Sequence, residues 1–369
     1  MNEQQPILIH AYSGPLGGSE RILLDLLRRM DRPAVLACPP GHLADSAEGD
    51  GITVVRVKER PLAARGSVAA ATATQHLLGH GREIRILAKN LDPALIVSWG
   101  MRSAMAATTS LRRQGCPLVA EHVDLLPDGP QGHAARKALL RFDRVVCLSY
   151  SIAEDLDSAW HASGRISVVH PGVELQDGSD PRRRDLPTAL MLAAIEPWKG
   201  QHTALEAVAK APGIRLVLAG SPIGGGETEY LRELKRRAQL PDLAGRVEFP
   251  GWIDGTTALA DSTVLIHTAP AEPFGRALID AMAAGRPVIA LNTAGPREIV
   301  TPDCGRLVPL DSPSQLASAL TEICGDPTLA AAMGAAGRRR VAADFDAVHQ
   351  SAKWQRAALS LAPLPAGSK

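Results

Sequence analysis

Aromatic residues are scarce in this sequence, and neither sign of charge predominates. Phe, Trp and Tyr together make up 3% of the 369 residues, which argues against the aromatic platforms that stack on the bases of single-stranded nucleic acid. Lys and Arg number 40 against 39 Asp and Glu, a formal net charge of +1. Bulk charge therefore gives no reason to expect an acidic partner, and we predict no nucleic-acid partner.

The sequence also lacks paired cysteines and long apolar runs. Its five cysteines are scattered, with no Cys-x-x-Cys pair, which is typical of reduced thiols in a cytosolic protein. No apolar run reaches the roughly eighteen residues that a membrane-spanning helix needs. Residues 1–14 have neither the basic region nor the apolar stretch of a signal peptide. These absences predict a cytoplasmic protein.

Length and composition favour two globular domains. Apolar residues make up 45% and charged residues 21%, which is typical of a soluble globular protein. Short apolar segments alternate with helical patterns in both halves, which predicts an open parallel α/β sheet in each. The polar segment 174–187 is the predicted linker. It separates an N-terminal domain (1–173) from a C-terminal domain (188–344), and 345–369 is predicted to form a last helix and a tail.

The segment 263–300 predicts a strand, a short loop, a helix and a second strand, the unit from which parallel sheets are built. Pro273 suits the first turn of the helix, whose unpaired amides and positive dipole end favour an anionic or oxygen-rich ligand. Glu272 lies at this helix start, and Asp280 follows eight residues later. Acidic residues near a helix start also stabilise the helix without any ligand, and for a lone glutamate that simpler interpretation prevails.

Residues 272–290 resemble the donor-site signature of the retaining glycosyltransferases of family 4. The signature reads Glu-x-Phe-Gly, four residues, then Glu-Ala-Met-Ala-x-Gly-x-Pro-Val-Ile-Ala. This chain has Glu-Pro-Phe-Gly from 272 and Asp-Ala-Met-Ala-Ala-Gly from 280, so that aspartate replaces the second glutamate. The resemblance implies that the segment binds a nucleoside diphosphate sugar. Its donor-binding residues are then Glu272, Phe274, Gly275, Arg276 and Asp280.

The same resemblance implies the architecture called glycosyltransferase B (GT-B). In this architecture two Rossmann-like domains face each other across a cleft, and the C-terminal helix crosses back to the N-terminal domain. The N-terminal domain then binds the acceptor, and the C-terminal domain binds the nucleotide sugar. The resemblance extends in order over nearly the whole chain.

A second candidate site is the turn Pro-Trp-Lys-Gly that ends at Gly200. Lys199 lies beside a glycine in a predicted βα turn, where a lysine is well placed to neutralise phosphate charge, although a lone Lys-Gly pair is more often an ordinary exposed turn. The turn resembles another signature of family 4, which implies that Lys199 and Gly200 bind the donor diphosphate. That signature has an arginine five residues before the lysine. This chain has Ala194 there, which removes one cation from the site.

Two further turns are assigned to the donor. Gly17 and Gly18 follow a predicted strand and open a helix, as in phosphate-binding turns, but many βα turns use glycine only to turn. The loop resembles the Gly-Gly-x-Glu loop of family 4, which implies that both glycines lie near the donor. The resemblance also implies that Trp252 and Ile253 lie against the nucleotide base.

His122 follows a predicted strand of the N-terminal half. Ligands of open α/β sheets bind at the carboxyl ends of the strands, and a histidine there can hydrogen-bond a sugar hydroxyl. From position alone, a histidine satisfied by nearby backbone is about as plausible. The resemblance implies that His122 is the counterpart of a functional histidine of the family, with Asp124 as a weaker companion.

A basic amphipathic segment, 132–144, leaves two interpretations open. Such a helix can lie on an anionic membrane surface, which would give the protein a weak peripheral membrane contact. More often it is the solvated face of a globular domain, and the absence of tryptophan from its apolar face favours this second interpretation.

Taken together with these features, the family resemblance implies a retaining hexosyltransferase. It would move a hexose-type sugar from a nucleoside diphosphate sugar, UDP before GDP, to a hydroxyl of a glycan, a glycolipid, or an aminocyclitol or other natural product. The predicted catalytic residues are His122, Lys199 and Glu272, and no metal or further cofactor is expected. The alternatives are a non-catalytic nucleotide-sugar-binding protein or partner subunit, favoured by Ala194 and Asp280, and a nucleotide-sugar epimerase of the same architecture.

Overall fold

The computed structural model describes residues 5–60, 67–111, 115–156, 161–175 and 186–361. The chain divides into two compact units. The N-terminal unit comprises Met1–Gly172 together with Ala347–Lys369, and the C-terminal unit comprises Val173–Asp346. Most of the predicted linker, 174–187, and the end of the predicted tail lie outside the described residues. Each unit is an α/β sheet domain of Rossmann type, so the predicted fold class is confirmed.

The N-terminal unit is built on a parallel sheet of seven strands in the order β3-β2-β1-β4-β5-β6-β7. Its central strands are buried along their whole length because helices cover both faces, which is why they read as continuous apolar runs. The strands are β1 (Ile7–Ala11), β2 (Ala34–Cys38), β3 (Thr53–Arg56), β4 (Leu95–Trp99), β5 (Leu118–His122), β6 (Arg144–Cys147) and β7 (Ile166–Val168). The order reverses between β1 and β4, which is the switch point where ligands bind in such sheets.

The helices of this unit connect successive strands. They are α1 (Gly18–Leu27), α2 (His42–Gly49), α3 (Ser67–Leu91), α4 (Gly100–Ser110), α5 (Pro130–Leu139) and α6 (Tyr150–Ala153). The glycines at 79 and 81 predict an interruption of α3, and this prediction is wrong, because α3 is one continuous helix. A Cβ on Gly81 would overlap the carbonyl oxygen of Ala106. This glycine therefore lets α3 and α4 pack closely instead of breaking the helix.

The C-terminal unit repeats the same topology with six parallel strands in the order β10-β9-β8-β11-β12-β13. The strands are β8 (Thr188–Leu192), β9 (Arg215–Ala219), β10 (Val247–Gly251), β11 (Val264–His267), β12 (Val288–Leu291) and β13 (Gly305–Val308). The order reverses between β8 and β11, which pair directly. The loops that follow these two strands therefore lie side by side at the switch point of the second sheet.

The helices of the C-terminal unit cover its sheet with an apolar core between them. They are α7 (Gln201–Ala209), α8 (Glu229–Ala238), α9 (Gly255–Ala260), α10 (Arg276–Ala283), α11 (Pro296–Ile299), α12 (Pro313–Gly325) and α13 (Pro327–Asp344). Pro273 is not in the first turn of α10, contrary to the sequence-based prediction. The helix begins only at Arg276, because Gly275 precedes it in a left-handed conformation (φ +107°) that ends the loop.

The last helix, α14 (Ala347–Leu359), belongs to the N-terminal unit although it follows the C-terminal unit in the chain. Trp354 donates its indole N–H to Glu121 Oε2 of β5 at 2.7 Å. Gln355 bridges the end of α1 and the turn after it, since it donates to Arg29 O at 3.0 Å and accepts from Asp31 N at 3.0 Å. Across the described part of the chain, every helix is too short or too polar to cross a bilayer.

Candidate functional site

The centre of the candidate site is an ion pair at the switch point of the C-terminal unit. Lys199 follows β8 and Glu272 follows β11, and Lys199 Nζ lies 2.7 Å from Glu272 Oε2. Both side chains are largely buried, with 16% and 12% of their areas exposed. The structure therefore brings together two residues that the sequence predicts as catalytic, at the edge of the sheet where ligands bind.

A second basic group contacts the same carboxylate oxygen. His267 is the last residue of β11, and its Nε2 lies 3.3 Å from Glu272 Oε2. Burial alone would raise the pKa of Glu272, but the hydrogen bond and charge of His267, together with Lys199, lower it to about 2. Glu272 is thus a carboxylate throughout the physiological pH range, an acceptor and not a donor of hydrogen bonds.

The turn that carries Lys199 is held by the neighbouring strand. Thr268, just after β11, donates its hydroxyl to Gly200 O at 2.8 Å. Gly200 has a left-handed φ of +77°, and a Cβ there would overlap the carbonyl oxygen of Thr268. Only glycine satisfies both conditions. Lys199 Nζ lies 4.1 Å from the centroid of the half-exposed Trp198 ring, within cation–π range.

The loop that carries Glu272 is held in place by contacts of its own residues with Phe345 and Gly295. Phe274 is buried, and its ring packs edge-on against that of Phe345, with 5.9 Å between the ring centroids. If Phe274 contacts the nucleotide sugar as predicted, it therefore does so through its backbone and not through its ring. Gly295 N donates to Glu272 O at 3.1 Å. A Cβ on Gly295 would overlap the Phe274 backbone, so this glycine permits the close approach.

Asp280 lies on α10, one turn beyond the loop. Arg276 Nε is 3.6 Å from Asp280 Oδ2, an i,i+4 ion pair at the start of the helix. Both predicted donor-binding residues are therefore on the same side of α10. Because α10 begins at Arg276, the positive end of its dipole lies beside the loop that carries Glu272.

Trp252 and Ile253 lie apart from this centre. They follow the edge strand β10, which is separated from β8 by β9. Trp252 is 67% exposed, and Ile253 is half-buried. Ala194, where family 4 has an arginine, accepts a hydrogen bond through its carbonyl oxygen from the buried Gln201 at 2.7 Å. Its methyl side chain offers a phosphate no charge.

In the N-terminal unit, the glycine turn lies at the switch point of the first sheet. Gly17 caps the start of α1, and its N–H is engaged by Glu20 Oε2 at 3.1 Å. Gly18 is the first residue of α1, and a Cβ there would meet nothing within 4 Å. Trp99, the last residue of β4, donates to Ser19 Oγ at 2.9 Å and joins the loops after β1 and β4.

His122 is the last residue of β5 and is fully buried. Neither ring nitrogen has a hydrogen-bond partner among the residues that the structure describes. Burial, with the charge of Arg136 as a smaller cause, lowers the pKa of His122 to about 4. It is therefore a neutral imidazole with unsatisfied nitrogens, which can accept or donate one hydrogen bond to a ligand hydroxyl. Its neighbour Asp124 accepts from Met101 N at 3.3 Å.

Sequence reasoning missed two residues of the centre, His267 and Thr268. Neither belongs to the signatures that located Lys199 and Glu272. A signal was present, because both come at the carboxyl end of an apolar strand that is followed directly by the candidate loop.

Two family models match the chain in succession. Residues 16–177 match the model described as Glycosyltransferase Family 4. Residues 174–340 match the model described as Glycosyl transferases group 1. Together they cover residues 16–340, which include every residue that the sequence predicts for the site.

Curated relatives match over part of their length. The lipopolysaccharide core biosynthesis glycosyltransferase LpsE of Rhizobium meliloti is 29% identical over 210 residues, which cover 55% of this chain and 60% of the relative. The D-inositol 3-phosphate glycosyltransferase of Streptomyces avermitilis is 32% identical over 53% of this chain and 47% of the relative. The phosphatidyl-myo-inositol mannosyltransferase of Mycolicibacterium smegmatis is 36% identical over 40% of this chain and 38% of the relative. The matched region thus spans less than two thirds of these relatives.

Solved structures match the whole fold. HepE of Anabaena, crystallised with UDP-glucose, has a TM-score of 0.84 at 23% identity, with 96% of this chain and 100% of that chain covered. The sucrose-phosphate synthase of Thermosynechococcus elongatus has a TM-score of 0.80 at 20% identity, with 96% of this chain and 98% of that chain covered. At these identities the likeness establishes the fold alone.

Proposed function

The chain belongs to glycosyltransferase family 4, and from this premise we propose that it is a retaining hexosyltransferase that needs no metal. It moves a hexose-type sugar from a nucleoside diphosphate sugar to an acceptor hydroxyl. One observation carries the proposal: the buried Lys199–Glu272 pair at the switch point of the C-terminal sheet. It places a cation for phosphate and an anion for sugar hydroxyls within 2.7 Å of each other, on the residues that the family signatures single out.

The main barrier to sugar transfer is charge on the leaving group. As the bond between the anomeric carbon and the diphosphate oxygen breaks, negative charge grows on the diphosphate and positive charge on the sugar ring. Fixed donors aimed at the diphosphate lower this barrier. We assign this role to Lys199, to the start of α10 at Arg276 and to the turn at Gly17 and Gly18.

The carboxylates hold the donor. Glu272 accepts hydrogen bonds from sugar hydroxyls, for which its low pKa suits it. Asp280, one methylene shorter than the family's glutamate, accepts from the ribose, and Trp252 and Ile253 lie against the base. His122 orients a sugar hydroxyl through a ring nitrogen that has no hydrogen-bond partner among the described residues. For retention, the acceptor oxygen bonds to the face of the anomeric carbon that the phosphate leaves, and the departing phosphate oxygen takes the acceptor proton.

The first donors and acceptors to test come from the relatives. UDP-glucose is bound in the structure of HepE, and one mannosyltransferase relative from Corynebacterium glutamicum is described as GDP-mannose-dependent. Inositol phosphate and phosphatidylinositol occur in the names of other relatives, and lipopolysaccharide core in a third. We therefore propose a polyol acceptor of the cyclitol or glycolipid class, with UDP-sugars tested before GDP-sugars.

The test is release of the nucleoside diphosphate from UDP-, GDP- and ADP-sugars, with and without cyclitol and glycolipid acceptors. We expect turnover with at least one donor in the presence of EDTA. Glu272→Ala and Lys199→Ala should each lower kcat/KM by about 100-fold or more while melting as folded proteins. Near-normal turnover in both variants would show that the site is misplaced.

A second candidate function is favoured by Ala194, which leaves Lys199 without the family's arginine. The chain would then bind a nucleotide sugar without transferring it, as a binding protein or a partner subunit. Measurable donor binding with no diphosphate release for any donor and acceptor would establish this alternative over the transferase.

A further inference from the structure

Glu272 has two basic neighbours on a single oxygen. Lys199 Nζ lies 2.7 Å and His267 Nε2 lies 3.3 Å from Oε2. His267 is 5% exposed and ends β11, which pairs with β8 on one side and with β12 on the other. Its backbone is therefore fixed in the middle of the sheet. Its Nδ1 is buried and has no hydrogen-bond partner within the described part of the chain.

The proposed function requires the Lys199–Glu272 ion pair to rearrange when the donor binds. Lys199 has to turn to the donor diphosphate, and Ala194 offers no second cation that would spare it. As Lys199 turns its N–H donors towards the diphosphate, its 2.7 Å contact with Glu272 weakens, while the Glu272 side chain stays largely buried. A buried carboxylate without a partner is costly. It tends to take up a proton or to move away, and in either case it no longer accepts hydrogen bonds from the sugar.

We propose that His267 is a positioning residue for Glu272. It keeps its contact with Oε2 when Lys199 turns to the diphosphate, so Glu272 stays charged and oriented towards the sugar. This inference rests on the proposed function, and it concerns the sugar part of the donor alone. The competing interpretation is a buried histidine that only fills space at the end of a core strand.

Two amide substitutions test whether His267 donates a hydrogen bond to Glu272. Glutamine places its amide nitrogen about where Nε2 lies in histidine, whereas asparagine places it about where Nδ1 lies. His267→Gln therefore retains an N–H donor for Glu272, and His267→Asn does not. Both variants are neutral and polar, but asparagine is one methylene smaller, so a role in filling space would by itself make it the worse variant. The double-mutant cycle with Glu272→Gln, described below, separates the two roles.

The measurement compares binding of UDP with UDP-glucose, and of GDP with GDP-mannose, by calorimetry, together with kcat and KM. The ratio of the two dissociation constants gives the contribution of the sugar. We expect the diphosphate constant to stay within about twofold in both variants. The sugar contribution and kcat should fall by about tenfold or more in His267→Asn and stay within about threefold in His267→Gln. His42→Asn, at an exposed histidine of the N-terminal unit, serves as the control and should change neither.

A double-mutant cycle shows whether His267 acts through Glu272. In a Glu272→Gln background, His267→Asn should have no further effect on the sugar contribution. A second measurement does not depend on the fold of the His267 variants. In 15N-histidine-labelled protein, Glu272→Gln should move the imidazole nitrogen signals of His267.

Equal effects of the two amides, full additivity in the cycle, or unmoved imidazole signals would each overturn the inference while the transferase proposal stands. Absence of any nucleotide-sugar binding and turnover in the unmodified protein would overturn both. The two failures are therefore distinguishable in one set of measurements.

Discussion

Glu121 provides the sharpest prediction about stability. Its side chain is 2% exposed, on β5 beneath α14, and Trp354 Nε1 donates to its Oε2 at 2.7 Å. Asp25 of α1, Arg29 just after α1 and His170 after β7 line the same pocket. Burial raises the pKa of Glu121 to about 8, and the hydrogen bond from Trp354 opposes this only in part. The folded N-terminal unit therefore holds a proton that the unfolded chain releases.

The sign of the pH dependence follows from this difference. Between the ordinary glutamate pKa of 4.5 in the unfolded chain and about 8 in the folded one, only the folded protein keeps the proton, so stability falls as pH rises. Each pH unit is worth about 1.4 kcal/mol. From pH 5 to pH 8, Glu121 should therefore cost up to about 4 kcal/mol of the free energy of unfolding. The contribution is fully favourable below pH 4.5 and is lost as pH rises through about 8.

Glu121→Gln removes the titration and keeps an oxygen that accepts from Trp354. Urea unfolding of both proteins at pH 5, 6, 7 and 8, followed by tryptophan fluorescence, gives the difference in free energy at each pH. We expect this difference to shift in favour of the variant by more than about 2 kcal/mol over the range. Glu154→Gln, at an exposed carboxyl of the same unit, should run parallel to the unmodified protein. Parallel curves for Glu121→Gln as well would refute the reasoning.

Two further predictions concern the candidate site. Burial lowers the pKa of His122 to about 4, so its contribution to stability is present above the unfolded pKa of 6.5 and is lost as pH falls towards 4. In the same urea assay, the stability of His122→Asn relative to the unmodified protein should therefore rise by up to about 3 kcal/mol between pH 7 and pH 4. A stability difference that stays constant with pH would contradict this. Gly200→Ala should lower the free energy of unfolding by at least about 2 kcal/mol more than Gly213→Ala does. Both glycines have φ near +80°, but only at position 200 would the added Cβ overlap Thr268. Equal losses of stability in urea unfolding would show that the turn rearranges to accept the methyl group.

The loops of the candidate site could be predicted because their chemistry is local in sequence. The turn at Lys199 and the loop at Glu272 each follow an apolar strand, and parallel strands bring their carboxyl ends to one edge of a sheet. Signatures of a few neighbouring residues were therefore enough to name both. The same reasoning named Gly17 and Gly18 at the first switch point.

The contacts between distant residues could not be predicted. Glu121 and Trp354 are separated by 233 positions, and no local pattern relates a buried acid on a strand to an indole on the last helix. The glycines of α3 show the same limit. Taken locally they weaken a helix, but the close approach of Ala106 on a neighbouring helix, which is a tertiary fact, explains the presence of Gly81.

The charge at the candidate site of the C-terminal unit connects the alanine at position 194 with the histidine beside Glu272. Lys199 and Glu272 cancel, so the pair as it stands offers a diphosphate no net positive charge. A chain with the family's arginine could bind phosphate through that residue and leave the pair intact. With Ala194 in that position, Lys199 is the cation assigned to the phosphate, and its donors are then divided between the phosphate and Glu272. The buried carboxylate then needs another donor, and His267, 3.3 Å away, already contacts the same oxygen. Loss of an arginine on the phosphate side thus increases the demand for a hydrogen-bond donor on the carboxylate side.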